Sequence, residues 1–229
     1  MASRLRMRRR LAEYPAILLD VDGTLYCAKA LRVALALELA LSYATRPWRL
    51  RELRALRYYR ALHNGAVSGA ENEQACSDQT ARRYGLTQDH LRRLIDQWLE
   101  QRPLKYVRWF RNRRLLAAVA RQKARGAVII LYSDYPTAQK AQALKGLDPD
   151  YQFCAADPAI NCFKPDRRGV EHIMATTGFS VADILMIGDR DNKDGAAARA
   201  VGMDYLILTG RSRQVRDILR TGAQADGSG

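Results

Sequence analysis

Three short apolar runs in this chain stop on charged or hydroxylic residues. In residues 16–22, AILLDVD, four apolar side chains meet Asp20, and a second carboxylate, Asp22, follows before Gly23 and Thr24. Residues 129–134, IILYSD, stop on Ser133 and Asp134, and residues 184–189, ILMIGD, stop on Asp189. A carboxylate can attack phosphorus and form an aspartyl-phosphate. A second one nearby can give a proton to the leaving group and later take one from water. Carboxylates gathered this closely are costly without a cation. Oxygen ligands with few others suit Mg²⁺, which keeps some waters and takes phosphate oxygens. Lys164 precedes Pro165 and a helix, and could reach the same place. Mg²⁺ with a lysine is a charge set for a phosphoryl group.

Such residues converge only if the strands that carry them are neighbours. Residues 15–20, 127–133, 151–156, 183–189 and 204–209 read as short apolar strands. From 127 onward they alternate with helices: 137–146, 166–177, an Ala-rich segment to Ala200, and 212–221. That alternation argues for a parallel α/β sheet with helices on both faces. In such a sheet chemistry collects beyond the carboxyl ends of the strands. Between the first strand and the rest lies an all-helical block. Helices are expected over 29–41, 47–63 (with Pro47 in its first turn), 70–84 and 87–101. Thr87 is a plausible N-cap and Pro103 ends the run. A basic helix then spans 108–125, closed by Gly126.

The chain has 229 residues and a net charge of +14. Residues 1–125 hold 26 Lys/Arg against 11 Asp/Glu, whereas residues 126–229 hold 12 against 13. The excess speaks to partners rather than to fold. No apolar run is long enough for a transmembrane segment. The start, MASRLRMRRR, has the charge of a signal n-region, but Asp20 and Asp22 break the apolar run that follows, so no secretory signal is expected. A mitochondrial presequence would be Arg-rich in the same way; a disordered basic tail is the plainer reading. Cys27, Cys76, Cys154 and Cys162 form no C-x-x-C pair and fit no zinc site, which points to reduced thiols in a cytoplasmic protein.

In order and spacing, DVDGTL, LYSDYP, FKP and IGDRDNKD resemble the four motifs of the haloacid dehalogenase-like (HAD) hydrolases, from about residue 15 to 210. The resemblance implies a Rossmann-like core from residues 15–27 and 108–222, a helical type-one cap from 28–107, a basic tail at 1–14 and a disordered one at 223–229. It implies that Asp20 is the nucleophile and a Mg²⁺ ligand, and that Asp22 is the general acid/base, its backbone carbonyl touching the metal. Ser133 would hydrogen-bond the phosphoryl group and Lys164 would offset charge on it. Asp189 and Asp194 would complete the metal site, while Gly23, Thr24 and Asp134 would supply backbone amides or turn geometry. Dehalogenases of this family lack the second aspartate, so Asp22 favours a phosphatase. A phosphomutase or phosphotransferase uses the same motifs. Arg190 and Lys193 stand where a small polar residue and an amide are more usual, and Asp191 is an extra acid; these three positions either touch substrate or pair with each other. Asp191 is left out of the metal set. The plain alternatives are an acidic turn for Asp20 and Asp22, a solvated lysine for Lys164, a helix cap for Ser133 and an N-cap for Asp194.

Caps of this family close over the site and choose the substrate, so substrate class should be written in 28–107. Residues 46–60 carry Arg46, Arg49, Arg51, Arg54, Arg57 and Arg60, beside Trp48, Tyr58 and Tyr59. This is either a solvated basic helix face or a surface for an acidic substrate, nucleic acid or anionic membrane. His63 reads as a surface or capped residue. A monomer or a dimer fits equally.

Overall fold

In a computed structural model, residues 5–45, 49–65, 70–208 and 218 are described. They divide into two compact units, residues 1–28 with 110–229, and residues 29–109.

The first unit holds one six-stranded sheet. Its strands are β1 (Leu5–Arg6), β2 (Ala16–Leu19), β3 (Val128–Ser133), β4 (Tyr151–Cys154), β5 (Ile184–Gly188) and β6 (Asp204–Ile207), in the order β1-β6-β5-β2-β3-β4. All pairings are parallel except β1 with β6. The strands of the sheet's middle are uniformly apolar and buried, as a sheet covered on both faces requires. β2 is central and pairs Leu19 with Leu131 on one side and with Ile187 on the other. Asp20, Ser133 and Asp189 therefore emerge at one edge. On one face Leu18, Ile130, Tyr132 and Met186 pack with Val170 and Ile173.

The second unit is helical: α1 (Ala28–Ala44, which begins at the unit's edge), α2 (Leu50–Gly65), α3 (Ala70–Tyr84), α4 (Gln88–Ile95) and α5 (Arg102–Trp109). Thr87 caps α4, its side chain accepting from the His90 amide. Two acids, Glu52 buried and Glu38 partly buried, tie the helices together. Glu52 accepts from Tyr43, Arg49 and His90, and Glu38 from Arg102, Lys105 and Tyr106. The first unit resumes with α6 (Arg113–Lys123), α7 (Ala138–Leu144), α8 (Arg167–Thr177) and α9 (Ala196–Val201). No helix among the described residues is long and apolar enough to cross a membrane.

Four expectations are corrected. The N-terminal segment is not a bare tail. Leu5–Arg6 pairs with β6, and Asp204 anchors it by accepting from the Arg8 amide (2.9 Å), Arg8 Nε (3.0 Å) and Tyr14 Oη (2.7 Å). Pro103 does not end a helix. A π-helical turn over Asp96–Gln101 runs without a break into α5, the Arg102 amide reaching back to the Gln97 carbonyl. Pro103 therefore lies inside a continuous helix just after the π-helical turn, the kind of irregularity at which a helix tolerates a missing amide hydrogen. The basic helix expected over 108–125 is split, because the Asn112 side chain accepts from the Leu115 amide and starts α6 afresh. The Ala-rich helix opens with a π-helical turn, Asp191–Gly195. The expected helix 212–221 lies outside the described residues apart from Ile218, as do residues 223–229, Arg46, Trp48 and the Pro47 helix start.

Candidate active site

Asp20 directly follows β2 and is buried. Thr24 Oγ1 donates to its Oδ2 at 2.7 Å, and Lys164 Nζ lies 2.6 Å from its Oδ1. The same Nζ donates to Asp194 Oδ1 at 2.8 Å and to the Tyr132 carbonyl at 3.3 Å. Lys164 is 3% exposed, which excludes a solvated lysine. Burial works against its ammonium, but Asp20 and Asp194 outweigh it and hold its pKa above the ordinary lysine value.

Asp194 is not an N-cap. Its Oδ2 accepts from the amide of Arg190, which lies upstream, and its Oδ1 from Lys164. A β-carbon at Gly188 would fall 2.3 Å from Asp194 Cγ, so glycine is what lets the π-helical turn close over the end of β5. Gly23 plays the matching part beside Asp20, with φ at +103° and its α-carbon against Asp189.

Ligand oxygens of Asp20, Asp189 and Asp194 lie within 4.8 Å of one another. Asp189 Oδ1 is buried and has no hydrogen-bond partner among the described residues. Burial raises the Asp20 pKa to about 7 despite the pull of Lys164, and burial with Asp194 raises that of Asp189. Three crowded carboxylates, one with an orphaned oxygen, and among the described residues a single buried ammonium beside them fit a hard divalent cation such as Mg²⁺.

The Asp22 carboxylate stands apart from this cluster. Lys140 Nζ lies 2.7 Å from both of its oxygens, and Tyr26 Oη donates to Oδ1. The Ser133 hydroxyl is buried at the end of β3 and accepts from the Tyr135 amide at 3.2 Å, a local turn that leaves its hydrogen to donate. The Asp134 carboxylate is occupied: Oδ1 accepts from the Lys164 amide at 3.1 Å and Oδ2 from Lys193 Nζ. Lys193 thus pairs with Asp134 rather than with Asp191, which pairs with Arg199 at 2.7 Å.

Lys140 and Tyr26 were not legible as site residues. One signal was available: Lys140 falls in the first turn of α7, where the helix dipole disfavours a cation unless an anion meets it.

No curated protein matches the chain. Among solved structures, a 2-haloacid dehalogenase from Pseudomonas syringae pv. Tomato DC3000 superposes with a TM-score of 0.59 at 14% identity, covering 89% of this chain and 92% of that one. A Thermotoga maritima protein assigned as a beta-phosphoglucomutase gives 0.56 at 14% identity, with coverages of 90% and 96%. An L-2-haloacid dehalogenase from Xanthobacter autotrophicus gives 0.52 at 18%, with coverages of 91% and 83%. At such identities the likeness is one of fold. The span that matches the family model for haloacid dehalogenase-like hydrolases, residues 14–202, contains every side chain of the site, and the chain belongs to that family.

Proposed function

We propose that the protein is a Mg²⁺-dependent phosphatase that hydrolyses a phosphate monoester of a small metabolite through an aspartyl-phosphate on Asp20. The observation that carries this reading is the separate holding of Asp22. It follows Asp20 by two residues but takes no part in the Lys164 cluster, and Lys140 and Tyr26 hold it instead. A halide leaves as an anion and needs no proton; an alkoxide does. The dehalogenase structures share the fold, and a second acid with its own supports is of use to phosphate ester chemistry.

An Asp20 oxygen attacks phosphorus while the ester P–O bond breaks. Asp22 gives its proton to the departing oxygen. Asp22 then takes a proton from water, which attacks phosphorus, breaks the bond to Asp20 and releases inorganic phosphate. Ser133, Lys164 and the amides around Gly23, Thr24 and Asp134 bind the phosphoryl oxygens. Asp20, Asp189, Asp194 and the Asp22 carbonyl would hold Mg²⁺, which supplies positive charge for the transferring group. The residue 29–109 unit would act as the substrate-selecting cap. On α2, Arg51, Arg54, Arg57 and Arg60 are all exposed, and this supports an anionic substrate or partner. Four free cysteines, three of them buried, support a cytoplasmic setting.

The test is phosphate release from a panel of phosphorylated metabolites with Mg²⁺ or EDTA, with Asp20→Asn as control. Metal-dependent release that the variant lacks is expected. An isomerised sugar phosphate in place of free phosphate would make the protein a mutase. No release from any compound, together with salt-sensitive RNA or vesicle binding, would make it a basic binding protein on this scaffold.

A further inference from the structure

Lys140 spends its ammonium on one residue. Its Nζ sits 2.7 Å from Asp22 Oδ1 and 2.7 Å from Oδ2, across 118 positions of sequence. Both side chains are partly open, 25% and 29% exposed, and an ion pair this exposed adds little to stability. The lysine also lies against the dipole of its own helix. Stability therefore gives a weak account of why it is there. The third member, Tyr26, is buried, and its backbone bridges to Arg111.

The two oxygens of Asp22 are not equivalent. Each carboxylate oxygen accepts two hydrogen bonds in the plane of the group. Oδ1 receives both Tyr26 Oη and Lys140 Nζ, which fills it. Oδ2 receives Lys140 alone among the described residues, which leaves one lone pair open. Three contacts from two side chains also stop the carboxylate from turning to exchange the two oxygens.

We propose that Lys140 and Tyr26 are positioning residues that fix the Asp22 carboxylate and assign its proton transfer to Oδ2. The inference rests on Asp22 being the acid and base of a phosphatase. It also explains a division of labour. Lys164 serves Asp20 and Asp194, and Lys140 serves Asp22, so each acid of the pair has its own cation.

The test uses the whole protein with Mg²⁺ and two substrates of similar shape, phenyl phosphate and p-nitrophenyl phosphate. The first leaving group needs a proton far more than the second. Lys140→Met is expected to lower kcat for phenyl phosphate by roughly ten- to a hundredfold, as misplacing a general acid does, with much the smaller loss on the nitrophenyl ester. KM should stay nearly unchanged for both, Tyr26→Phe should show a weaker version, and Lys140→Arg should restore most of the loss. Equal losses on both esters, or an effect on KM alone, would overturn the assignment and make Lys140 a substrate-binding residue.

A second readout needs no turnover. In protein whose lysines carry ¹³C-methyl groups, the Lys140 resonance is the one that Lys140→Arg removes. Asp22→Asn should shift it, whereas Asp191→Asn should not. An unmoved resonance would sink the pairing itself. A shifted resonance in an enzyme whose phenyl phosphate turnover survives Asp22→Asn would sink Asp22 as the acid and with it the proton-transfer role of Oδ2, whereas a shifted resonance in a wild type that turns over neither ester would sink the phosphatase reading and leave the pairing standing.

Discussion

A β-carbon at Gly23 would fall 2.1 Å from Oδ2 of Asp189 and 2.7 Å from its Cγ. The turn that follows Asp20 and the acid that ends β5 are thus fitted to each other with no room for a methyl group. The turn also needs φ of +103°, where side chains are strained. Gly23→Ala must therefore move Asp189, the carboxylate with the unpartnered buried oxygen. The variant is expected to bind Mg²⁺ at least about tenfold more weakly, as loss of a ligand's orientation does. It should also unfold about 1–3 kcal/mol more easily. Calorimetric Mg²⁺ titration and urea melts would check both. Unchanged Mg²⁺ affinity would remove Asp189 from the metal site.

Lys164 carries the opposite risk. Among the described residues its Nζ is the one buried cation that touches Asp20 and Asp194, and both acids are themselves buried. Lys164→Met leaves two carboxylates facing each other, and removing one partner of a buried ionic cluster typically costs about 3–5 kcal/mol. The melting temperature should fall well below that of the wild type in EDTA, and added Mg²⁺ should recover part of it by supplying charge to the same acids. A variant as stable as wild type in EDTA would show that the acids do not depend on Lys164.

How far the sequence carries this site is uneven, and the reasons are physical. Asp20, Ser133 and Asp189 are legible because each ends an apolar strand, and parallel strands align their ends. Lys164 is legible as a residue that could reach that edge, but its burial is not, since burial depends on contacts with Asp20, Tyr132 and Asp194, all remote in the chain. Asp134 is legible as a neighbour of the phosphoryl site; that its carboxylate is consumed by the Lys164 amide and Lys193 depends on tertiary contacts 30 and 59 positions away. Lys140 reads as an ordinary surface lysine because its partner is remote in the chain. β1 escapes for a different reason: two residues carry no periodicity, and only Asp204 shows why they pair.

Asp204 also gives a pH dependence with a definite sign. Burial raises its pKa, but the Arg8 amide, Tyr14 and the Arg8 guanidinium together hold it below the ordinary carboxylate value. A depressed folded pKa contributes stability that is present above the unfolded value and is lost as pH falls through the folded one. Asp204→Asn is therefore expected to cost about 1–3 kcal/mol near neutral pH, the cost of weakening charged, half-buried hydrogen bonds. The gap to wild type should narrow as pH falls below about 4, where the unfolded carboxyl is protonated. Urea melts at neutral and acid pH would show it; a gap that stays constant across that range would count against the carboxylate as the anchor of β1.

The nucleophile can be tested apart from its substrate's identity. Asp20→Asn keeps the shape and the Thr24 contact but replaces the attacking oxygen, and turnover should fall by more than about a thousandfold with little change in melting. Oxygen-18 then separates the two chemistries the fold supports. In an aspartyl-phosphate, water attacks phosphorus, so a single turnover in labelled water puts the label in the released phosphate and leaves Asp20 unlabelled. In a carbon ester formed by halide displacement, water attacks the carboxyl carbon, so the label enters Asp20 itself. Mass spectrometry of the peptide that holds residues 16–22 reads the difference directly. An unlabelled peptide with labelled phosphate is expected here, because a proton donor two residues beyond the nucleophile, steadied by Lys140 and Tyr26, has work to do only when an oxygen leaves. Label in the peptide would overturn the aspartyl-phosphate.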